Sequence, residues 1–261
     1  MKVYTTLLIF LWLKAFYIDA QNIFTPAIKP DTAFIPGEVL TYQIRYSFIV
    51  AGLTTFSLSE VPFGDKLVFH ARAIGETTGL ASTIYGVRDI YESWFDKESN
   101  LPYKQIRNIK EGHYRRYNEV TYNHEDNTVN SQVSGIHQVP EKILDLISTF
   151  YFLRRFDFSK LNVGDVIFGN MYFADEIFPF RLRYKGREII RSRFGKISCF
   201  KVCPVVEVGR IFKTQDDLTM WFSTDHNQLP VLLKMEIIHV GSVLLKLIKY
   251  ENTANQLGFQ E

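Results

Sequence analysis

The sequence predicts an all-β protein, a single-domain antiparallel meander of about twelve strands that curls into a large barrel or half-barrel around one helix. Three observations carry this. Alternating apolar and polar runs dominate from Gly37 onward. The runs are bounded by short Gly, Asn, Asp and Ser clusters, as in "KESN" and "HEDN". Only one stretch, "VPEKILDLISTFYFLRRFDF", repeats with a helical period. So many consecutive strands rarely stay open and flat.

The elements follow in order. "MKVYTTLLIFLWLKAFYIDAQ" reads as a signal peptide, with Lys2 as the positive n-region and Val3 to Leu13 as a short h-region. Cleavage is expected after Ala20, so residues 1–20 are removed and the mature chain begins at Gln21. Lys14 interrupts the apolar run, and the alternative to cleavage is a retained anchor. No later segment approaches the ~20 apolar residues of a membrane helix, so the mature chain has no expected transmembrane segment. Residues 21–36 hold three prolines and no period, and read as an extended leader. Residues 37–261 form the β domain, since no composition break divides them.

In "GEVLTYQIRYSFIVAGLTTFSLSE", Tyr42, Ile44, Tyr46, Phe48, Val50, Phe56 and Leu58 share one parity, and polar residues take the other. That is one buried and one wet face. A straight strand from Tyr42 to Leu58 would run about 56 Å, against a usual ~20 Å. A hairpin or a glycine kink is therefore expected at Ala51-Gly52. "KLVFHARAIG", "YGVRDIYESWFD", "LPYKQIRNIK", "HYRRYNEVTYN" and "TVNSQVS" continue the meander. The helix is expected to begin at Pro140, with Ile143, Leu144, Ile147, Phe150 and Tyr151 as its apolar stripe and Arg154 and Arg155 at its C-terminal end. After "KLNVGD" the strands resume and run to "SVLLKLIKYEN".

Composition bounds the function more than it names it. The 261-residue chain is 46% hydrophobic and 15% aromatic, which excludes a disordered protein. Its net charge of +2 gives no global pull toward nucleic acid or membrane. Cys199 and Cys203 lie about 13 Å apart along a strand, beyond the roughly 7 Å limit for bridged Cα atoms, so two free thiols are expected. No nucleophile elbow, zinc-protease motif or phosphate loop is present. His70, His113, His124, His137, His226 and His239 show no metal-ligand spacing. No metal, no cofactor and no catalytic residue is expected.

Two features remain. Asp89 shares a strand face with Tyr91 and Ser93. The plain reading pairs it across strands with an Arg such as Arg107, and a catalytic one requires it buried beside a His or a second carboxylate. In "PFRLRYKGREIIRSRFGK", Arg181, Arg183 and Lys185 alternate with Phe180, Leu182 and Tyr184. A turn is expected at Lys185-Gly186. Pairing across it would set Arg191 and Arg193 beside the first three cations, making a site for a phosphate or carboxylate; the plain reading is a solvated face.

The stretches "GEVLTYQIRYSFIVAGLTTFSL", "YGVRDIYESWFDKESNLP", "EGHYRRY", "DLISTFYFLRR", "FGKISCFKVCPV" and "MWFSTDHNQLPVLLKMEIIHVGSVLLKL" occur in that order. On these the chain resembles the bacterial exported proteins grouped as domain of unknown function 3108, Bacteroidetes-type members above all, from about Gly37 to Tyr250. The resemblance implies an all-β meander closing into a barrel or half-barrel, with no agreed activity and no catalytic residues. In outline it is similar to the half-barrels that carry lipoproteins across the periplasm, an analogy of fold alone.

The functional expectation is a periplasmic, non-catalytic binding or carrier module for a hydrophobic or anionic envelope ligand, such as a lipid or glycan, with no nucleic-acid partner. Its candidate ligand residues are the inward aromatics Tyr42, Tyr46, Phe48 and Phe56 and the basic set Arg181, Arg183, Lys185, Arg191 and Arg193. The alternative is a structural or assembly protein of the envelope acting through protein–protein contacts.

Overall fold

The computed structural model of the chain describes residues 23–24, 33–205, 214, 217–238 and 241–259. The signal peptide, its cleavage point at Gln21, most of the leader and His239 lie outside the described residues. The elements in chain order are β1 (Ile23–Phe24), β2 (Val39–Tyr46), β3 (Ile49–Phe63), β4 (Lys66–Thr77), α1 (Gly79–Ile84), β5 (Arg88–Phe95), β6 (Pro102–Glu111), β7 (Tyr114–Asn123), β8 (Thr128–Ser131) and β9 (Gly135–Gln138). They continue with α2 (Leu146–Arg155), a 3₁₀ turn at Phe158–Lys160, β10 (Val166–Phe173), β11 (Glu176–Ser192), β12 (Gly195–Pro204), β13 (Leu218–Ser223), β14 (Pro230–Ile237) and β15 (Gly241–Glu251).

All strands belong to one sheet, ordered β1-β10-β11-β12-β13-β14-β15-β2-β3-β4-β5-β6-β7-β8-β9. Each half of the chain is a meander, and β15 pairs with β2 to join them. Every pairing is antiparallel except the two-residue β1, which adds in parallel to β10. The all-β meander expected from the sequence is present. The sheet is not closed by hydrogen bonds, so of the two expected shapes the open barrel is the one formed.

Side chains bridge the gap between β10 and the β7–β9 edge. Asp175, in the β10–β11 turn, accepts hydrogen bonds from Arg116 Nη2 at 2.9 Å, Asn118 Nδ2 at 2.9 Å, Ser131 Oγ at 2.5 Å and Ser134 Oγ at 2.9 Å. Burial alone would raise its pKa. The hydrogen bonds from Ser131, Ser134 and Asn118 and the Arg116 charge outweigh burial and hold the carboxyl below the usual range. Tyr172 packs edge-on to Tyr122 in a buried group with Val120, Val129, Val139 and Ile143.

The helix begins later than the sequence predicts. Asp145 caps α2: its side chain accepts from the Ser148 N–H, and the Ser148 Oγ accepts from the Asp145 N–H. This reciprocal pair fixes the start at Leu146 rather than near Pro140. Ile143 and Leu144 are buried as expected, but in extended chain. Leu144 bridges to Met171, donating to the Asn170 carbonyl and accepting from the Tyr172 N–H. A strand-edge docking site has won those two residues from the helix.

α2 runs to one end of the barrel and fills it. Ile147 and Tyr151 pack with Phe34, Leu58, Phe69 and Phe95. Leu153 and Phe156 join Phe158, Phe180, Leu182, Tyr184, Phe200 and Phe222. Gln228 Nε2 donates to the C-terminal carbonyls of Leu153, Arg154 and Phe156, at the end of the helix where carbonyls run short of intrahelical donors. Arg154 is fully buried and pairs through both terminal nitrogens with Glu38 at 2.5 and 2.8 Å.

Two reversals differ from the sequence reading. The β2–β3 chain turns at Ser47-Phe48, where Ser47 has φ of 53°. Ala51-Gly52 is a bulge instead, with Ile44 opposite Gly52 and Arg45 opposite Val50. The glycine kink form of that expectation therefore holds, and the hairpin form does not. A Cβ on Gly52 would sit 2.3 Å from the Glu76 carbonyl oxygen, which is why glycine stands there. Nor does the chain turn at Lys185-Gly186: β11 runs on to Ser192 through a bulge, with Gly186 at φ of 98°.

Candidate functional site at the open end of the barrel

The end opposite α2 is built differently. There the sheet carries the β2–β3 tip, α1, the β6–β7 tip and the β10–β11 turn. The inner face of β5–β7 turns polar as it approaches this end. Tyr91, Arg107 and Asn118 stand in register across the three strands. One row nearer the mouth lies Asp89, 5% exposed, with Glu111 beside it, 3% exposed.

Asp89 accepts the Lys110 N–H at 3.0 Å and shares a hydrogen bond with the Glu111 side chain. Burial pushes the Asp89 carboxyl above its ordinary range, against the Lys110 N–H, Glu111 and the charge of Arg107. Thus Arg107 is an electrostatic neighbour of Asp89 but not the cross-strand partner of the plain reading: it stands opposite Tyr91, and the carboxyl beside Asp89 is Glu111.

Arg107 reaches across the interior. Its guanidinium lies 5.0 Å from the Phe173 ring centroid on β10, and it bonds the Tyr91 hydroxyl. Burial raises the Tyr91 pKa, opposed by the Arg107 charge. The Arg107 Nε and the Arg116 Nε are buried and bond to no protein atom. Arg116 is otherwise neutralised by Asp175. Chemically, this is a guanidinium whose Nε donor is uncommitted, an aromatic platform, a phenol and two neighbouring buried carboxyls.

The residues singled out from sequence are dispersed. Tyr42 and Phe56 do face inward, at 5.7 Å and edge-on to one another, but Phe150 of α2 stacks on Phe56 at 4.4 Å. That region is packed core. Tyr46 and Phe48 are exposed at the β2–β3 tip, so the inward placement expected of them does not hold. The early reversal at Ser47 takes them out of the barrel wall. The parity of the basic stripe does hold: Phe180, Leu182 and Tyr184 are buried and Arg181, Arg183 and Lys185 are half-exposed. The expected patch does not form, because β11 does not fold back at Gly186. Arg191 lies about 26 Å along the same strand from Arg183, opposite Lys196. Arg193 sits in the β11–β12 turn over Phe194. Cys199 and Cys203 are free and buried on β12, as strand geometry required. Burial pushes the Cys199 thiol up to about 12.

The sequence reading missed Glu111, Arg116, Phe173 and Asp175 as site residues. The alternation around Glu111 and Arg116 in "KEGHYRRYN" looks the same as that of a solvated strand face, Phe173 and Asp175 come from the other half of the chain, and only the curl of the sheet makes an interior of them.

An open antiparallel barrel, plugged by a helix at one end and polar at the other, defines the class: a β-barrel-like protein. The chain belongs to the family described as protein of unknown function (DUF3108), whose model matches residues 41–248. No curated protein matches the sequence. Among solved structures it is similar to a β-barrel-like protein of domain of unknown function DUF1849 from Brucella abortus. That match has a TM-score of 0.52 at 8% identity and covers 84% of this chain and 98% of the other. It shows the shared fold. A DUF1089 family protein from Pseudomonas aeruginosa matches with a TM-score of 0.36 at 11% identity, over 68% of this chain and 87% of the other. A Bacteroides fragilis protein with a YmcC-like fold, described as exported, matches with a TM-score of 0.32 at 8% identity, over 87% of this chain and 100% of the other. Neither of these two scores bears on the fold. Among the described residues no helix is long and apolar enough to cross a membrane.

Proposed function

We propose that this is an exported cell-envelope protein, periplasmic after signal-peptide removal, that binds the anionic head of an envelope ligand in the open mouth of its barrel. The observation that carries the reading is Arg107. Its guanidinium is held by Tyr91 and Phe173 inside the barrel, and its Nε has no protein acceptor. A phosphate or carboxylate oxygen is the natural acceptor for such a donor. Burial pushes the neighbouring Asp89 carboxyl above its ordinary range, which lessens its repulsion of an anion. The apolar core at the other end is filled by α2, so the ligand's head, rather than a whole acyl chain in the barrel, is the part assigned to the interior.

Calorimetric titration with a short-chain alkyl phosphate, and with the uncharged alkyl glucoside of equal chain length, tests this. Arg107→Met is expected to weaken phosphate binding by about 1.5–3 kcal/mol, as for a lost charge-assisted hydrogen bond, with folding intact by circular dichroism. Equal binding by both proteins, or no preference for the phosphate, defeats the proposal.

A second reading rests on the Asp89–Glu111 pair, since a buried acid held above its ordinary range beside a second carboxyl is suited to general acid–base work. A hydrolytic turnover abolished by Asp89→Asn but spared by Arg107→Met would favour catalysis over binding.

A further inference from the structure

The three most exposed large apolar side chains among the described residues are Ile84 at 85%, Leu80 at 82% and Phe48 at 80%. All three stand on the rim of the mouth. Phe48 is the tip of the β2–β3 hairpin, flanked by exposed Tyr46, Ile49 and Val50. α1 is held beside that hairpin by the Thr78 N–H on the Ala51 carbonyl. Gly112 N–H bonds the Gly86 carbonyl and so ties the β6–β7 tip to the chain leaving α1.

α1 buries none of its residues. Leu80 and Ile84 are four apart and share one helix face, and that face has no core to cover. Apolar side chains scattered singly over a surface need no explanation; a cluster on adjoining projections does. These are protruding tips, not the walls of a groove, so they fit a soft apolar medium better than a folded partner. The charges around them agree. Arg45 bonds the Gln43 side-chain oxygen and the Phe48 carbonyl, and Arg115 bonds the Gly112 and Tyr114 carbonyls, all neutral acceptors. Lys110 is exposed nearby. Glu76, next to α1, is engaged by Arg88, and the exposed Glu176 lies across the mouth at the β10–β11 turn. Among the described residues, the rim thus presents apolar tips beside three cations, Arg45, Arg115 and Lys110, and the side-chain bonds of the two arginines go to neutral groups.

We infer that the rim is a membrane-docking surface, in which Phe48, Leu80 and Ile84 enter the headgroup boundary of a bilayer and Arg45, Arg115 and Lys110 meet its anionic lipids. Amphipathic segments of this composition bury their apolar face roughly 5–10 Å deep, and each nearby cation adds attraction to an anionic surface. The inference does not depend on the headgroup reading of the interior, because the rim docks whether or not Arg107 holds a ligand.

Co-sedimentation with phosphatidylglycerol-containing vesicles and with phosphatidylcholine vesicles tests it, using the chain recovered after export. The wild-type protein is expected to partition to the anionic vesicles and to lose binding as salt is raised. Phe48→Ser, Leu80→Ser and Ile84→Ser combined are expected to lower partitioning by about tenfold or more, and Arg45→Gln with Arg115→Gln to weaken it on anionic vesicles alone. The triple variant should still titrate with the soluble short-chain alkyl phosphate like wild type, which separates failure at the rim from failure of the interior site. Phe48→Trp should show a blue-shifted emission on vesicle addition. Absence of wild-type partitioning, or a triple variant that binds unchanged, overturns the inference. So does self-association abolished by the triple variant without any vesicle binding, which would make the rim a contact between copies.

Discussion

Replacing Glu38 by Gln should cost this protein a large share of its stability. Arg154 is fully buried, and Glu38 is its charge partner across two hydrogen bonds of 2.5 and 2.8 Å. The remaining bonds of the guanidinium go to neutral carbonyls, Ala33 through Nη2 at 2.9 Å and Asn227 through Nε at 3.2 Å. Phe34, Tyr151 and Phe150 surround it at 5.2, 5.5 and 5.9 Å. Glu38→Gln keeps the shape and removes the charge, leaving a cation in a low-dielectric core. Breaking one side of a buried pair costs about 3–5 kcal/mol, a decisive part of a total that is usually ~5–15 kcal/mol. With an m-value of about 2 kcal/mol per molar, the urea midpoint should fall by roughly 2 M. Because Arg154 joins residues Ala33 and Glu38, α2 and the β13–β14 loop, the whole transition should move as one. The double variant Glu38→Leu with Arg154→Met removes both charges and should be more stable than Glu38→Gln alone. A Glu38→Gln midpoint within about 0.5 M of wild type, or a double variant less stable than the single, would refute the reasoning.

Three further outcomes follow from particular residues. Burial pushes the Asp145 carboxyl from an ordinary 3.8 up to about 6, against hydrogen bonds from Ser93 and Ser148. The folded chain then holds this proton more tightly than the unfolded one, so stability should fall by up to about 3 kcal/mol as pH rises from about 4 to 6. Asp145→Asn still caps the helix and should flatten that slope; parallel urea midpoints for both proteins across the window would exclude it. Gly52→Ala places a Cβ 2.3 Å from a backbone oxygen and should cost about 1–3 kcal/mol, with an unchanged melting temperature counting against the bulge. Leu182→Asp buries an unpaired carboxylate and should unfold the sheet, while Arg191→Ala, exposed and opposite Lys196, should stay within about 0.5 kcal/mol. A folded Leu182→Asp protein would reverse the assigned parity.

Strand alternation is a local property, and it read well. The buried set Phe180, Leu182 and Tyr184, the free Cys199 and Cys203, and the meander itself were all legible from period and turn chemistry. Chain reversals read less well. Gly186 looked like a turn and Gly52 like either a turn or a kink, yet each is a bulge, because glycine serves a kink and a turn by the same conformational freedom. Ser47 gave no such signal and carries the real reversal. Pro140 and Glu141 looked like a helix start, but the Asp145–Ser148 cap lies five residues on and Leu144 is claimed by β10. The interior site was the least legible part. Asp89 was visible as a residue of interest, but its partner Glu111 lies on the next strand, and Phe173 comes from the other half of the chain. Only the coiling of the sheet brings these together, and no periodicity in one segment encodes that.

The open seam bears on the site as well as on the fold. A closed barrel would fix its mouth with backbone hydrogen bonds all round. Here the β10–β11 turn is tied to the opposite edge by one carboxylate, Asp175, with four side-chain donors on three segments. Asn118 is one of those donors, and it stands in register with Arg107 and Tyr91. Phe173, two residues before Asp175, is the ring on which Arg107 rests. Any movement at the seam therefore shifts both the platform and the neighbour of the same guanidinium. The plugged end is held through Arg154, Gln228 and the aromatic core, whereas at the mouth the seam is bridged by the side chains around Asp175. A barrel built this way keeps its adjustable parts beside the polar recess and the apolar rim.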